Sequence, residues 1–471
     1  MNKQEKIIIL LFSVFLLIEL FLFQDLPFFW DAVSKSERAG WILSNHFSTL
    51  IVPTEINSGH PPLWITSIAL FWSIFGKTIW SARMLLMLVN FGVFYQVLVL
   101  AKNTFRKNIS IYLVLLVLIE PTLIAQSTSL NNDMLLLLFT LLGVNSLFKN
   151  RDWFYTIALV GILLTNLRGI YISIALILIH IWLCKTELLA FNKKMIKAYV
   201  IGFASFFGFL LYQYADLGWF LITKNEGFSE HRKVSDLSII LKNSAAYIKN
   251  LLDFGRLVVW IPLFFFAIKF VKMKRFKTEK ESAKLLIALV VFTIIFFFGF
   301  VPFSNPFGPR YMMICYVLAN VLFINLLFQF VLNRNKLKAV VSIVVIAFVT
   351  GHFWIYPSTI AQGWDSSLAY LNYFPQEKKM FQYLEENDIP KPSVGTNLYL
   401  NSRWISNLTE APKEEDKFIS LDLKTNEYIL FSNLENRTED ADIITLRDSW
   451  VEVKTCSQLG VFLTLYKNPE F

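Results

Sequence analysis

Ionisable side chains are scarce inside the long apolar runs of this 471-residue chain, so the few at the ends of those runs are the first candidates for chemistry. Asp31 follows the first run, Ile7 to Phe23, by eight residues, behind Phe28-Phe29-Trp30. A carboxylate there is either a solvated loop acid or a proton acceptor held at a membrane surface. Asp133 ends the polar run Ser127 to Asn132, where Asp suits the cap of a following helix as well as it suits a site. Arg168 stands at the short turn Arg168-Gly169, and Arg310 in Asn305-Pro306-Phe307-Gly308-Pro309-Arg310-Tyr311. Guanidinium groups at membrane depth suit bidentate phosphate binding, while Arg310 with Tyr311 would also serve as an interfacial anchor. His60 precedes Pro61-Pro62 in a stiff turn, where a lone His is structural or a ligand. Glu19, inside the first run, either snorkels or meets a neighbouring helix.

Other chemistries lack their residues. The chain has no Walker A sequence, no dinucleotide fingerprint, no HExxH and no nucleophile elbow, so any reaction uses a substrate that is already activated. Asp440-Ala441-Asp442 matches a two-acid string common by chance in an acidic segment. Cys184, Cys315 and Cys456 are scattered and encode neither a disulfide framework nor a thiolate site. No metal site is indicated.

The elements that hold these residues are membrane helices. Hydrophobic residues make up 55% of the chain and include 46 Phe, above the roughly 45–50% of a soluble domain. At about 20 apolar residues per span, about eleven spans are expected, near 7–23, 80–101, 109–125, 134–148, 153–167, 170–184, 198–214, 254–271, 285–301, 311–332 and 339–355. The first run has Lys3 and Lys6 before it but no small-residue cleavage site after it, and reads as a retained helix. With a cytoplasmic N-terminus, the Lys and Arg clusters at 102–107, 149–151, 185–197, 272–284 and 334–338 all fall inside. The loop 24–79 and the tail then fall on the extracytoplasmic side. Basic residues confined to short loops argue for orientation and against nucleic acid. Residues 356–471 carry 11 Lys+Arg against 18 Asp+Glu, net −7, which leaves +16 on residues 1–355. Helical spacing at Gln376 to Asn387 and short β-type runs at 418–423, 428–431, 443–446, 450–453 and 461–466 predict a small α/β domain. The reading is therefore a mainly α, polytopic domain over 1–355 and a second domain over 356–471.

The stretch Phe28 to Leu63 is too long to be a mere connection and too apolar to be disordered, with Trp30, Trp41, Phe47 and Leu50. It ends on Gly59-His60-Pro61-Pro62-Leu63, and after the short apolar run to Phe75-Gly76, placed along the membrane interface, the next helix opens on Ala82-Arg83-Met84-Leu85. With Asn132-Asp133, Arg168-Gly169 and Pro309-Arg310-Tyr311, this pattern resembles the C-type (GT-C) glycosyltransferases of family 39, the protein O-mannosyltransferases and lipid A aminoarabinose transferases. The resemblance implies a polyprenyl-phosphate sugar donor such as undecaprenyl phosphate-sugar, a lipid, glycan or protein acceptor, an extracytoplasmic site under the first loop in a bacterial inner membrane, and inversion at the anomeric carbon. It makes Asp31 the general base, Asp133 a second acid and Arg310 a donor-phosphate ligand; Arg168, an outer-facing cation at membrane depth, and Tyr311 are expected at the same phosphate, and His60 and Arg83 as positioning residues. The family's usual Asp-Glu is Asp31-Ala32 here, and Arg168 replaces a frequent Lys; the lost carboxylate weakens any case for a divalent metal. A lipid-linked-sugar transporter or flippase, and an O-antigen ligase or polymerase, are the rival classes. Paired broken helices would favour the first, and dispensable acids with essential arginines the second.

Overall fold

A computed structural model describes residues 2–398, 400 and 417–471. Helix α1 (Lys3–Leu22) opens on a capping box in which Asn2 and Glu5 each accept the other's backbone N–H. The stretch expected as a loop folds into α2 (Asp31–Ser44), a 3-10 turn at Thr54–Ile56 and α3 (Leu63–Phe75), before the long α4 (Ile79–Thr104).

The expected span 109–125 is not one helix. It forms a 3-10 turn, α5 (Val114–Leu118) and α6 (Pro121–Ser127). Pro121 cannot continue the α5 ladder, and Glu120 restarts the helix by accepting Leu123 N–H at 2.8 Å. Then come α7 (Asp133–Phe148), α8 (Asp152–Thr165), α9 (Gly169–Lys185), α10 (Lys194–Leu217), the single turn α11 (Glu226–Ser229), α12 (Leu237–Leu252), α13 (Leu257–Lys272), α14 (Lys280–Phe300), α15 (Met313–Phe330) and α16 (Arg334–Gly351). Among the described residues, α4, α10, α14 and the segment Pro309–Phe330 are long and apolar enough to cross a membrane singly. Helices α12 and α13 pass the same test only as a pair, bent by 95°. Helices α7, α8 and α9 keep close to their expected bounds, but at 16, 14 and 17 residues they fall short of the roughly 20 that a full crossing takes, so eleven full crossings are not what length and composition give.

Helix α15 is the axis of the bundle. It is apolar all round, as a helix enclosed by others must be, and 89% of the Pro309–Phe330 span is buried, against 22% for α10 at the periphery. Helices α4, α7, α8 and α10 pack in succession, α13 and α14 pack directly on α15, and α9 packs on α14 and α8.

Beyond α16, 3-10 turns at Trp364–Ser366 and Leu368–Asn372 lead to α17 (Tyr373–Glu386) and a five-stranded sheet. Its strands are β1 (Val394–Thr396), β2 (Ile419–Ser420), β3 (Tyr428–Ser432), β4 (Val451–Gln458) and β5 (Val461–Lys467), in the order β2-β1-β3-β5-β4. β1 runs parallel to β2 and β3, and the remaining pairs are antiparallel. Residues 443–446, expected as strand, lie instead in α18 (Asp440–Ser449), whose Ile443 and Leu446 cover one sheet face with Ile429 and Phe431. The string Asp440-Ala441-Asp442 is the first turn of α18, where acids offset the helix dipole. The opposite face packs on Met380 and Leu384 of α17, and the same apolar cluster takes in Phe29 from the first loop. That shared cluster joins the sheet region to the segment carrying Asp31.

Candidate active site

Four distant parts of the chain bring helix N-termini to one point. Asp31 is the first residue of α2, Asp133 the first of α7, Arg168 the N-cap of α9, and Arg310 lies in the 3-10 turn Pro309–Met312 that opens α15. Arg310 Nη2 donates to Asp31 Oδ2 at 2.5 Å, and Arg310 Nε lies 3.9 Å from Asp133 Oδ2. Arg168 Nη2 donates to Asp133 Oδ1 at 2.6 Å, and its guanidinium lies 3.9 Å over the Tyr311 ring. Tyr311 thus stacks under one arginine and supports the turn that carries the other. Converging N-termini add their positive dipole ends to these cations, which makes the point suited to an anion.

Local structure fixes the acids. Trp30, the N-cap of α2, has φ 48° and ψ −121°, a conformation costly for a side-chain-bearing residue, on the order of 1–3 kcal/mol. It is held there because Phe29 stacks at 5.0 Å on Tyr370, whose hydroxyl meets Thr128 Oγ1 at 2.6 Å. The strain turns the chain sharply into α2 and delivers Asp31 to Arg310. Arg83 is outside the cluster: it donates to Leu26 O at 2.7 Å and Thr128 O at 3.0 Å, tying the start of the first loop to the Ser127–Asn132 run. Glu19 accepts from Ser127 Oγ at 2.8 Å, which is the neighbouring-helix alternative and not a snorkel.

Three site residues had no signal of their own in the sequence. Lys35, one turn after Asp31, places Nζ 3.8 Å from its carboxylate. Arg38, a turn further, donates to Ile56 O at 2.6 Å and Ser58 Oγ at 2.9 Å, fastening α2 to the turn before His60. Reading 31–44 as a helix would have put Asp31 and Lys35 on one face. Asp365, from the segment leading to the sheet, accepts from Arg310 Nη1 at 2.5 Å. His60 shares a narrow recess with Lys35, Arg38 and Asn132, beside the acids and not among them. Burial first, then Arg232, Lys35, Arg168 and Arg38, push the His60 imidazole well below its ordinary value, so it is neutral at neutral pH.

Partial desolvation would raise the half-exposed Asp31 carboxyl, but Lys35 and Arg310 outweigh it and hold it well below the usual range. Burial pushes the Lys35 ammonium down to about 8, against the pull of Asp31. Among the described residues no three His, Cys, Asp or Glu side chains are grouped as metal ligands.

An apolar helical bundle organised on a buried α15, with acids and arginines gathered at helix N-termini and a small sheet region over them, is the GT-C fold in an integral membrane protein. The dolichyl-phosphate-mannose-protein mannosyltransferase family model matches residues 59–212, which include His60, Asp133 and Arg168 but neither Asp31 nor Arg310. Among solved structures, ArnT from Cupriavidus metallidurans, determined bound to undecaprenyl phosphate, is similar with a TM-score of 0.55 over 98% of each chain at 11% identity. No curated protein matches the chain. The resemblance to GT-C enzymes read from the motifs thus agrees with both the family model and the fold, and the chain is glycosyltransferase-like.

Proposed function

We propose that the chain transfers a sugar from a polyprenyl-phosphate-linked donor to a lipid, glycan or protein acceptor on the extracytoplasmic side of the membrane, with inversion. The observation that carries this reading is the contact set Asp31–Arg310–Asp133–Arg168 at four helix N-termini. A polyprenyl phosphate is a leaving group already attached to the sugar, so the site needs only a base for the acceptor hydroxyl and cations for the phosphate. Asp31 is the base. Arg310 and Arg168 take the developing phosphate charge, Tyr311 supports both, and Asp133 aims Arg168. His60 and Arg83 position the first loop, His60 through its stiff turn and Arg83 through its two carbonyl contacts. No step calls for a metal, because guanidinium groups and helix ends supply the positive charge.

The likeness to a structure bound to undecaprenyl phosphate supports the donor class. The test is transfer from a polyprenyl-phosphate-sugar donor by the purified chain in detergent. General-base catalysis is typically worth about 10² to 10⁴ in rate, so Asp31→Asn loses that factor while expression and melting temperature match the wild type. Near wild-type transfer by well-folded Asp31→Asn removes Asp31 from the mechanism and leaves Asp133 as the next candidate.

A further inference from the structure

Resting on the reading just given, we propose that Arg310 is an exchange arm: donor phosphate displaces Asp31 from Arg310 Nη2 while Asp365 keeps hold of Nη1, so that the base is released only when donor is in place. Asp365 is then a positioning residue contributed by the segment that leads into the sheet region.

The two carboxylates hold equivalent nitrogens at the same 2.5 Å, but their surroundings differ. Asp365 is 10% exposed and Asp31 49%. The backbone of Asp365 is pinned from two sides. Its carbonyl accepts from buried Gln126 Nε2 at 2.7 Å, and the next carbonyl, of Ser366, accepts from Thr122 Oγ1 at 3.2 Å. Gly363 lies so close to the Arg310 turn that a Cβ there would sit 2.5 Å from Pro309 Cδ, which fixes the spacing between Asp365 and Arg310. Among the described residues Arg310 is the one cation paired with Asp365, whose other contact is Ser366 Oγ at 3.5 Å. A buried carboxylate stripped of its cation is costly, so Asp365 does not release Arg310. Burial pushes its carboxyl above the ordinary range even with Arg310 beside it.

Asp31 is in the opposite position. Half of its side chain faces solvent, and Lys35 Nζ at 3.8 Å stays beside it when Arg310 leaves. Held by two cations it is a poor proton acceptor, and losing one of them restores part of its basicity. An anion arriving beside Arg168 therefore meets one arm of Arg310 that is exchangeable and one that is fixed.

The test is binding of sugar-free undecaprenyl phosphate to the full-length protein in nanodiscs, with transfer measured separately. Asp31→Asn and Asp365→Asn each remove one negative charge next to Arg310. Exchange predicts that Asp31→Asn tightens binding on the order of tenfold, because a charge-assisted hydrogen bond no longer competes for Nη2. Asp365→Asn leaves binding equal or weaker and lowers turnover, and Asp365→Glu restores part of it. Equal tightening by both variants would mean that only net charge matters, and the proposal falls. Unchanged or weaker binding by Asp31→Asn, confirmed with Asp31→Ala, also overturns it. Exchange fails alone when wild type binds the lipid and Asp31→Asn neither tightens binding nor transfers sugar. The base assignment fails alone when Asp31→Asn tightens binding yet transfers normally. No saturable binding by wild type brings down both.

Discussion

Replacing Glu120 by Gln should destabilise the bundle more than almost any other single-atom change, and its size follows from the contacts. Glu120 and Arg256 are each 1% exposed, and Arg256 Nε donates to Glu120 Oε1 at 2.6 Å. The guanidinium also donates to Thr122 Oγ1 and, at 3.2 Å each, to Asn250 O and Asp253 O, and it lies 3.9 Å over the Tyr316 ring. The glutamine amide keeps the shape, but its single oxygen can either cap α6 or accept from Arg256 Nε, not both, and in either case the guanidinium is left buried without its counter-charge. Removing one partner of a buried pair typically costs about 3–5 kcal/mol. Because the Arg256 donors keep their neutral acceptors and the ring, the lower end of that range is expected, about 3 kcal/mol. Replacing both, Glu120→Leu with Arg256→Met, should recover most of the loss, since apolar pairs of similar volume often match or exceed a buried ion pair. Unfolding followed by tryptophan fluorescence in detergent, with the double variant alongside the singles, measures this. A Glu120→Gln midpoint equal to wild type, or a double variant as unstable as the single, would refute the reasoning. The pair also sits where α6 meets the bend between α12 and α13, and Thr122 reaches from it to Ser366 O. Weakened donor binding by Glu120→Gln would show that the strain reaches Asp365.

Two further outcomes are expected. The Lys35 ammonium, lowered by burial to about 8, loses its charge as pH rises through that value; Asp31 then loses one of the two cations that hold down its basicity, so kcat/KM should rise on an alkaline limb near pH 8. Lys35→Arg, whose guanidinium stays charged, should remove the limb; a limb unchanged in Lys35→Arg assigns it elsewhere. On the orientation proposed from the loop charges, a reporter fused after Tyr356 is active only if it works outside the cytoplasm, and cytoplasmic-type activity there would overturn the orientation and the extracytoplasmic site together.

What could be read from the sequence follows from how far apart cause and effect lie along the chain. The apolar runs announce helices because burial of a helix by lipid or by neighbours leaves a local record in every residue, and α4, α9 and α14 fall within a few residues of their expected bounds. Asp31, Asp133, Arg168 and Arg310 were legible because each stands at a break where polarity is conspicuous. Two local misreadings have local causes. The run 109–125 looks continuous by hydropathy, but Pro121 breaks the hydrogen-bond ladder that hydropathy does not weigh. The segment 443–446 looks like strand by its Ile-Ile-Thr-Leu content, yet the acids before it stabilise a helix N-terminus and the sheet needs a cover on that face. Asp365 is a different case, since Gly-Trp-Asp-Ser-Ser is an ordinary polar turn by any local measure. Its role depends on Phe29 sharing a core with Tyr370 and Phe374 and on Gln126 and Thr122 holding the carbonyls of Asp365 and Ser366, which together bring the segment between α16 and α17 onto the start of α15. A residue whose partner lies 55 positions away in sequence and whose placement depends on a third segment leaves no periodicity to find. The same geometry that hides Asp365 from the sequence gives it its use: an acid fixed by a remote, buried framework can hold Arg310 steady while the acid on the local loop lets go.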